Sequence, residues 1–439
     1  MGKTEIAPSW YEKELFEQAL VLRYQTDIED LIKGINEQYL YWDMIKYKKT
    51  EQNIAPEMLW TLTKISRLNA KKIKLGEYTF KYNTTDEILK NLHEFDLNLG
   101  GSLGSQGIIP KDDKKRYLIS SIMEEAIASS QIEGAVTTRK NAKDMLRKNA
   151  KPKNKSEQMI VNNFLTIKHI VDIKDEPLTM ERLFEIHRKI TDNTLDDPTD
   201  EGRFRDNNEI NVVDVIDGEI IYSPPSFNKL PQLMDELFLF FNNNDQNSFT
   251  HPIIKGCIIH FLIGYIHPFV DGNGRTARAL FYWYLLKNGY WLTEYLSISR
   301  LIVKSKVQYA QAYVYTEIDE NDLTYFIDYK IKTMQLAFEE LRKYVERKIK
   351  EKKQVTSFQK ISGINERQAL ILKWVNEESE LLLSVKEIET RFNVSNQTAR
   401  TDLSVLEEMG YLTVVDVNKK TKGYYRSNDF EALITKSKS

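Results

Sequence analysis

A single cysteine, Cys257, in 439 residues leaves no internal disulfide framework and no multi-cysteine zinc site, and six histidines leave little scope for a histidine cluster. Charge of one sign is missing too: 62 basic against 64 acidic side chains give a net charge of −2, so any pull toward nucleic acid or an anionic surface must be local. Long hydrophobic runs are absent. The longest, Cys257 to Ile266, is broken by His260 and Gly264 and is too short to span a bilayer, and the opening MGKTEIAPSWYEKELF has no apolar stretch of the kind a leader carries. A cytoplasmic protein with no membrane role is therefore expected. With 41% hydrophobic and 29% charged residues the composition is that of a globular protein, and the length predicts two or three domains.

Apolar side chains three and four apart, as at Leu15, Leu20, Leu31, Ile35 and again at Leu59, Leu62, Ile65, run from residue 8 to about 95 without an alternating pattern. They predict a helical N-terminal region, 1–99. The glycine- and serine-rich segment Gly100 to Pro110 reads as a connection. Helical periodicity returns over Arg116 to Leu146, Leu178 to Ile190 and Pro252 to Leu286, giving a helical middle domain, 100–345. Within it, the β-branched residues of Glu209 to Tyr222 surround Asp217-Gly218 and predict an exposed hairpin. The charged stretch Tyr344 to Gln354 is expected to end a helix and begin a linker, 346–360. Over 361–439, Asn365 with Gln368, Ser384 with Glu387, and Ser395 mark three helix starts. Gly410 ends the third helix and strands follow at Tyr411 to Val415 and Gly423 to Arg426, the layout of a winged helix-turn-helix. The expected fold class is mainly α.

The string HPFVDGNGRTAR, His267 to Arg278, joins two of these helical patterns. Gly272 and Gly274 let the backbone turn closely around a ligand, and the helix that follows aims its free N–H groups and positive dipole end into that turn. Arg275 and Arg278 add positive charge to the first turn, where it is unfavourable unless an anion binds. Asp271, a hard carboxylate beside this cradle, suits Mg²⁺, which takes one or two carboxylates together with phosphate oxygens. His267 stands before the turn, and a neutral imidazole accepts the proton of an attacking hydroxyl near neutral pH.

The block resembles the signature of the Fic family, histidine-proline-phenylalanine-any-acidic-GNGR-any-any-arginine, with every fixed position filled. The resemblance implies a protein adenylyltransferase that uses ATP and Mg²⁺ to place AMP on a Ser, Thr or Tyr hydroxyl of a protein, its own included. It makes His267 the general base, Asp271 the metal ligand, and Gly272, Asn273, Gly274 and Thr276 part of the ATP site, with Arg275 and Arg278 on the β- and γ-phosphates. Gly202-Arg203-Phe204-Arg205, the hairpin and Tyr222-Ser223-Pro224-Pro225 resemble the family's flap, which aligns target segments by strand pairing. The helix containing Tyr309 resembles the part that borders the adenine, a core aromatic being the alternative reading of Tyr309.

Upstream, Ile119, Ile122, Ala126, Ser129 and Glu133 follow one helical face, so a carboxylate ends a mostly apolar stripe and needs a cation, while Gly134 closes the helix. Ser129 to Gly134, SSQIEG, resembles the family's inhibitory motif in the class that carries it N-terminal to the core. By that resemblance Glu133 pairs with Arg278, displaces the γ-phosphate from its productive pose, and is itself part of the ATP site.

In the C-terminal module Ala399, Leu403 and Leu406 face inward and leave Gln397, Arg400 and Thr401 outward, with Lys419, Lys420 and Lys422 at the wing. These are candidate DNA contacts. Asp402, Glu407 and Glu408 weaken that reading and leave protein contact open. A nucleotide-sensing transcription regulator and an AMP-removing enzyme stand as alternatives, and a homodimer is compatible with the pattern.

Overall fold

The computed structural model describes residues 4–50, 53–100, 114–213, 218, 220–243, 249–359, 361–418 and 421–438. The chain divides into two compact units, Met1–Leu341 and Arg342–Ser439.

Unit one opens with α1 (Lys13–Leu22), α2 (Thr26–Glu37), α3 (Trp42–Ile45) and α4 (Pro56–Ser66). Strands β1 (Lys71–Leu75) and β2 (Tyr78–Tyr82) then form an antiparallel hairpin before α5 (Asp86–Asn98). This hairpin corrects the expectation of an all-helical N-terminal region. Ile73 and Leu75 alternate with lysines, Phe80 and Tyr82 alternate across the turn, and Gly76 supplies the positive φ of 58° that the two-residue turn demands. The border expected near residue 100 does not separate compact units. Ile28, Ile35, Trp60 and Leu62 share one apolar core with Tyr325 from the far end of unit one. Beneath it, Lys64 donates to Asp319 at 2.6 Å and Arg67 to the Tyr325 hydroxyl at 2.9 Å.

The middle of the unit runs α6 (Lys114–Ile132), α7 (Arg139–Lys148), α8 (Lys155–Asp172), α9 (Met180–Thr191), the short strands β3 (Val212–Val213) and β4 (Ile220–Tyr222), and α10 (Leu230–Asn242). Then come α11 (Pro252–Ile266), α12 (Asn273–Lys287), α13 (Ile298–Lys304), α14 (Lys306–Ile318) and α15 (Thr324–Gln359), whose residues from Arg342 on belong to unit two. Helices α11 and α12 are buried almost all round, which is why neither shows a one-sided stripe in the sequence. They form the centre of the unit, and the turn joining them carries the signature. Gly134, at φ 89°, stops α6 and splits the helical pattern expected from Arg116 to Leu146 into α6 and α7. The hairpin expected at Glu209 to Tyr222 pairs Val212 with Tyr222 and Val213 with Ile220, while Asp217 lies outside the described residues. So does the expected connection beyond Gly100, through Pro110.

The linker expected at 346–360 is helix through Gln359. Its lysines, glutamates, arginine and glutamine are strong helix formers, and no glycine or proline interrupts them.

Unit two contains α16 (Glu366–Glu377), β5 (Leu383–Ser384), α17 (Val385–Phe392), α18 (Asn396–Glu408), β6 (Leu412–Asn418), β7 (Thr421–Arg426) and α19 (Phe430–Lys438). Asn365 and Gln368 close a full capping box, and Ser384 and Ser395 cap α17 and α18. The sheet order β5-β7-β6 adds a third strand to the expected hairpin, and Ile371, Leu372, Leu403, Leu406 and Tyr424 fill the core.

Candidate active site

The turn from α11 to α12 is built almost wholly from hydrogen bonds to its own neighbourhood. His267 ends α11 in the left-handed region at φ 49°, its N–H still bonded to Ile263 O at 3.0 Å. Its Nδ1 lies 3.1 Å from Gly264 O. A carbonyl has no hydrogen to give, so Nδ1 carries the proton and Nε2 is left with its lone pair. Burial pushes the imidazolium pKa below its usual value, which keeps that lone pair available at neutral pH. Asn273 clasps the loop, accepting the Phe269 N–H at 3.0 Å and donating to Phe269 O at 2.8 Å. Gly272, at φ 85°, sits where an added Cβ would meet Thr191 at 2.9 Å.

Helix α12 therefore starts on a residue with no side chain to cap it, whereas α5, α7, α8 and α9 are capped by Thr85, Thr138, Asn154 and Thr179. Above the uncapped end lies Glu133. A Cβ on Gly274 would stand 2.3 Å from Glu133 Oε1, so only glycine lets the carboxylate lie against the first turn. Arg278 donates from Nη2 to Glu133 Oε1 at 2.8 Å and to Ser129 O at 3.0 Å, and from Nε to Ser129 Oγ at 2.8 Å. Its Nη1 is buried and finds no partner among the described residues. The carboxylate thus holds the position that the dipole, the free N–H groups and the arginine prepare for an anion.

The family model of the Fic/DOC family matches residues 177–285, and that of an HTH domain matches residues 367–425. The chain carries a Fic/DOC domain. Over 113 residues it is 34% identical to the protein adenylyltransferase Fic of Drosophila mojavensis and to that of Drosophila melanogaster, in each case 26% of this chain and about a fifth of the relative. Among solved structures it is similar to a Fic family protein from Desulfovibrio desulfuricans at 20% identity and TM-score 0.49, covering 78% of this chain and 95% of that one. It is also similar to Fic-1 of C. elegans at 15% identity and TM-score 0.48, covering 77% and 87%.

The expected residues fall into two groups, with Ser129, Glu133, Gly134 and Tyr309 lying outside the matched residues 177–285. Gly274, Arg278, Ser129 and Glu133 converge on one spot, with Gly134 ending the helix that delivers Glu133, while His267 and Gly272 lie in the turn that leads into it, against Gly264 O and Thr191. Asp271 stands at the rim, half-exposed, accepting the Gly272 N–H and facing Arg275 at 3.3 Å. Arg275 points elsewhere than a phosphate reading implies: it is 1% exposed and donates to Ile190 O at 3.0 Å. Asn273 uses its side chain on the loop, and Thr276 turns a buried hydroxyl inward. Tyr309 is half-buried and shares a 2.9 Å hydrogen bond with His260, so its hydroxyl belongs to the core.

One support, His187, escaped sequence reading, and a second, Arg205, was read only as part of the flap. His187 on α9 donates from Nε2 to Asp271 O at 2.9 Å, accepts the Gly202 N–H on Nδ1 at 3.0 Å, and stacks on Phe269 at 3.7 Å. Desolvation pushes its pKa down to about 4 and keeps it neutral for both bonds. Arg205 reaches His267 O at 2.9 Å, while its own N–H bonds Pro268 O at 2.9 Å. The only signal for His187 was a histidine on the apolar face of a helix, beside Leu183, Ile186 and Ile190.

In unit two, Gln397, Arg400 and Thr401 are exposed on α18, and Lys422 is exposed on β7. Lys419 and Lys420 lie outside the described residues. Asp402, expected to repel nucleic acid, faces inward: it is 1% exposed and accepts from Arg367 at 2.6 Å and Asn365 at 2.9 Å.

Proposed function

We propose that this chain is a protein adenylyltransferase held in check by Glu133. The observation that carries the reading is the uncapped start of α12 with a carboxylate resting against Gly274 and bonded to Arg278. With Glu133 withdrawn, a polyphosphate takes its place. His267 Nε2 then accepts the proton of a protein hydroxyl, whose oxygen forms a bond to the α-phosphorus while the bond to the β-phosphate oxygen breaks and pyrophosphate leaves. The free N–H groups of α12 and Arg278 stabilise the charge that gathers on the phosphates. The half-exposed Asp271 carboxylate fits Mg²⁺ as a single protein ligand beside phosphate oxygens, and among the described residues no group of three or more His, Cys, Asp or Glu is placed to hold a metal alone. When bound there, Mg²⁺ supplies charge neutralisation on the polyphosphate. Strand β4 and its flank, ending at Tyr222 whose hydroxyl donates to Tyr265 O at 3.0 Å, offer an edge for a target segment beside His267. Incubation with α-labelled ATP and Mg²⁺ tests the reading, since label must appear on protein and depend on His267.

A second reading concerns unit two, where the inward turn of Asp402 leaves α18 presenting Gln397, Arg400 and Thr401. That face suits a major groove, with Lys422 toward a phosphate. Anisotropy of a duplex against Arg400→Ala tests it, and equal binding by parent and variant rejects it.

A further inference from the structure

Eight of the seventeen residues from Arg139 to Lys155 are lysine or arginine against one acid, Asp144, in a chain whose net charge is −2. Some of this charge is spoken for. Arg139 and Lys143 neutralise Glu124 of α6, and Lys155 faces Asp196 at 3.1 Å. Lys140, Arg147, Lys148, Lys151 and Lys153 are exposed and their side chains pair with no carboxylate among the described residues, while the Lys153 N–H donates to Glu157 Oε2 at 2.8 Å.

Helix stability accounts for only part of that set. Arg147 and Lys148 sit in the last turn of α7, where the dipole favours them, but Lys140 stands in the first turn, where it does not, and Lys151 and Lys153 flank Pro152 outside any helix. The stretch is also chemically narrow. Residues 136–156 contain no aromatic, and of their large apolar side chains Val136 alone is exposed, at 85%. A protein interface draws its affinity from buried aromatic and apolar anchors and is depleted in lysine, and a single strand needs rings on which bases stack. What remains is recognition of a phosphate backbone by charge, and the exposed amides of Asn141 and Asn149 among the cations add donors for phosphate oxygens.

We infer that α7 and residues 149–155 form a second, sequence-independent nucleic-acid surface, on unit one, that takes the backbone of a duplex. The match of residues 367–425 to an HTH domain favours a duplex over an anionic bilayer as the source of the phosphates. The surface is tied to the inhibitory helix: Arg139 Nε donates to Glu124 of α6 at 2.7 Å, and the Val136 N–H, just past Gly134, donates to Ser156 Oγ at 3.0 Å. An occupant therefore rests against the helix that delivers Glu133.

The test uses the full chain and a labelled 20-base-pair duplex of arbitrary sequence, followed by anisotropy as NaCl rises from 50 to 200 mM. The variant Lys148→Glu/Lys151→Glu/Lys153→Glu should bind more than roughly tenfold weaker at 50 mM, and its slope of log affinity against log salt should be flatter by about 2.7, three phosphate contacts at about 0.9 each. Acetylation of the parent with and without duplex gives a readout that no folding defect can mimic: Lys148, Lys151 and Lys153 should be protected, and should stay protected in Arg400→Ala/Lys422→Ala. The inference fails if the parent does not bind. It fails equally if the triple variant binds like the parent, if the three lysines react alike with and without duplex, or if phosphatidylserine vesicles protect them and duplex does not.

Discussion

The turn between α11 and α12 and the outward face of α18 are both polar surfaces on helices, yet they use their side chains in opposite ways. In the turn nearly every polar group is committed to the scaffold: Asn273 to Phe269, Arg275 to Ile190 O, His187 to Asp271 O and Gly202 N–H. Among the described residues, His267 Nε2, the half-exposed Asp271 carboxylate, the uncapped N–H groups and one edge of Arg278 remain for chemistry. On α18 Asp402 alone of these is buried, held by Arg367, while Gln397, Arg400 and Thr401 are exposed, Arg400 and Thr401 bonding only within their own helix, to Asn396 Oδ1 at 2.7 Å and Gln397 O at 2.9 Å. Chemistry at a fixed atom needs a site whose supports leave it no freedom, and docking on a long polymer needs a face that can adapt.

If the contrast holds, the largest effect comes from the single uncommitted base. His267→Ala should lower label transfer by about 10²–10⁴-fold, with fluorescent-ATP affinity unchanged; equal labelling by the variant removes the base from the account. Next comes Arg367→Ala, which leaves the buried Asp402 carboxylate with Asn365 as its side-chain partner among the described residues and should cost unit two about 2 kcal/mol in denaturant unfolding. Arg400→Ala should leave that unfolding nearly unchanged and weaken duplex binding by about 1 kcal/mol, so the reverse pattern would break the distinction between buried and exposed groups. The finest prediction is on pH. Because burial lowers the His267 pKa, the neutral base survives to lower pH than an exposed histidine would allow, and the acid limb of labelling should have its midpoint below 6.5. A midpoint above 6.5 would mean that the ring is stabilised as a cation.

How much of this was legible in the sequence follows from what each residue bonds to. Glu133 could be found because its partner lies across a helix stripe with a regular period, and the signature could be found because its residues are contiguous. The β1–β2 hairpin was missed because lysines hid a short alternation around Gly76, and Gln359 lies at the end of a helix rather than in a linker because charge was read as a break where it is a strong helix former. His187, 84 residues from the Asp271 carbonyl it holds, had no local pattern to announce it. Asp402 was read as repulsive because its direction depends on Arg367, 35 residues away.

The central claim is that Glu133 occupies the anion site of an enzyme otherwise ready to transfer AMP. Self-labelling by α-labelled ATP and Mg²⁺, compared between the parent and Glu133→Gly, addresses it most directly. The account predicts more label on Glu133→Gly than on the parent, a gain lost in Glu133→Gly/His267→Ala and reduced in Glu133→Gly/Arg278→Ala, because the carboxylate and the arginine act as one coupled pair. Labelling that is unchanged or lower in Glu133→Gly would contradict it.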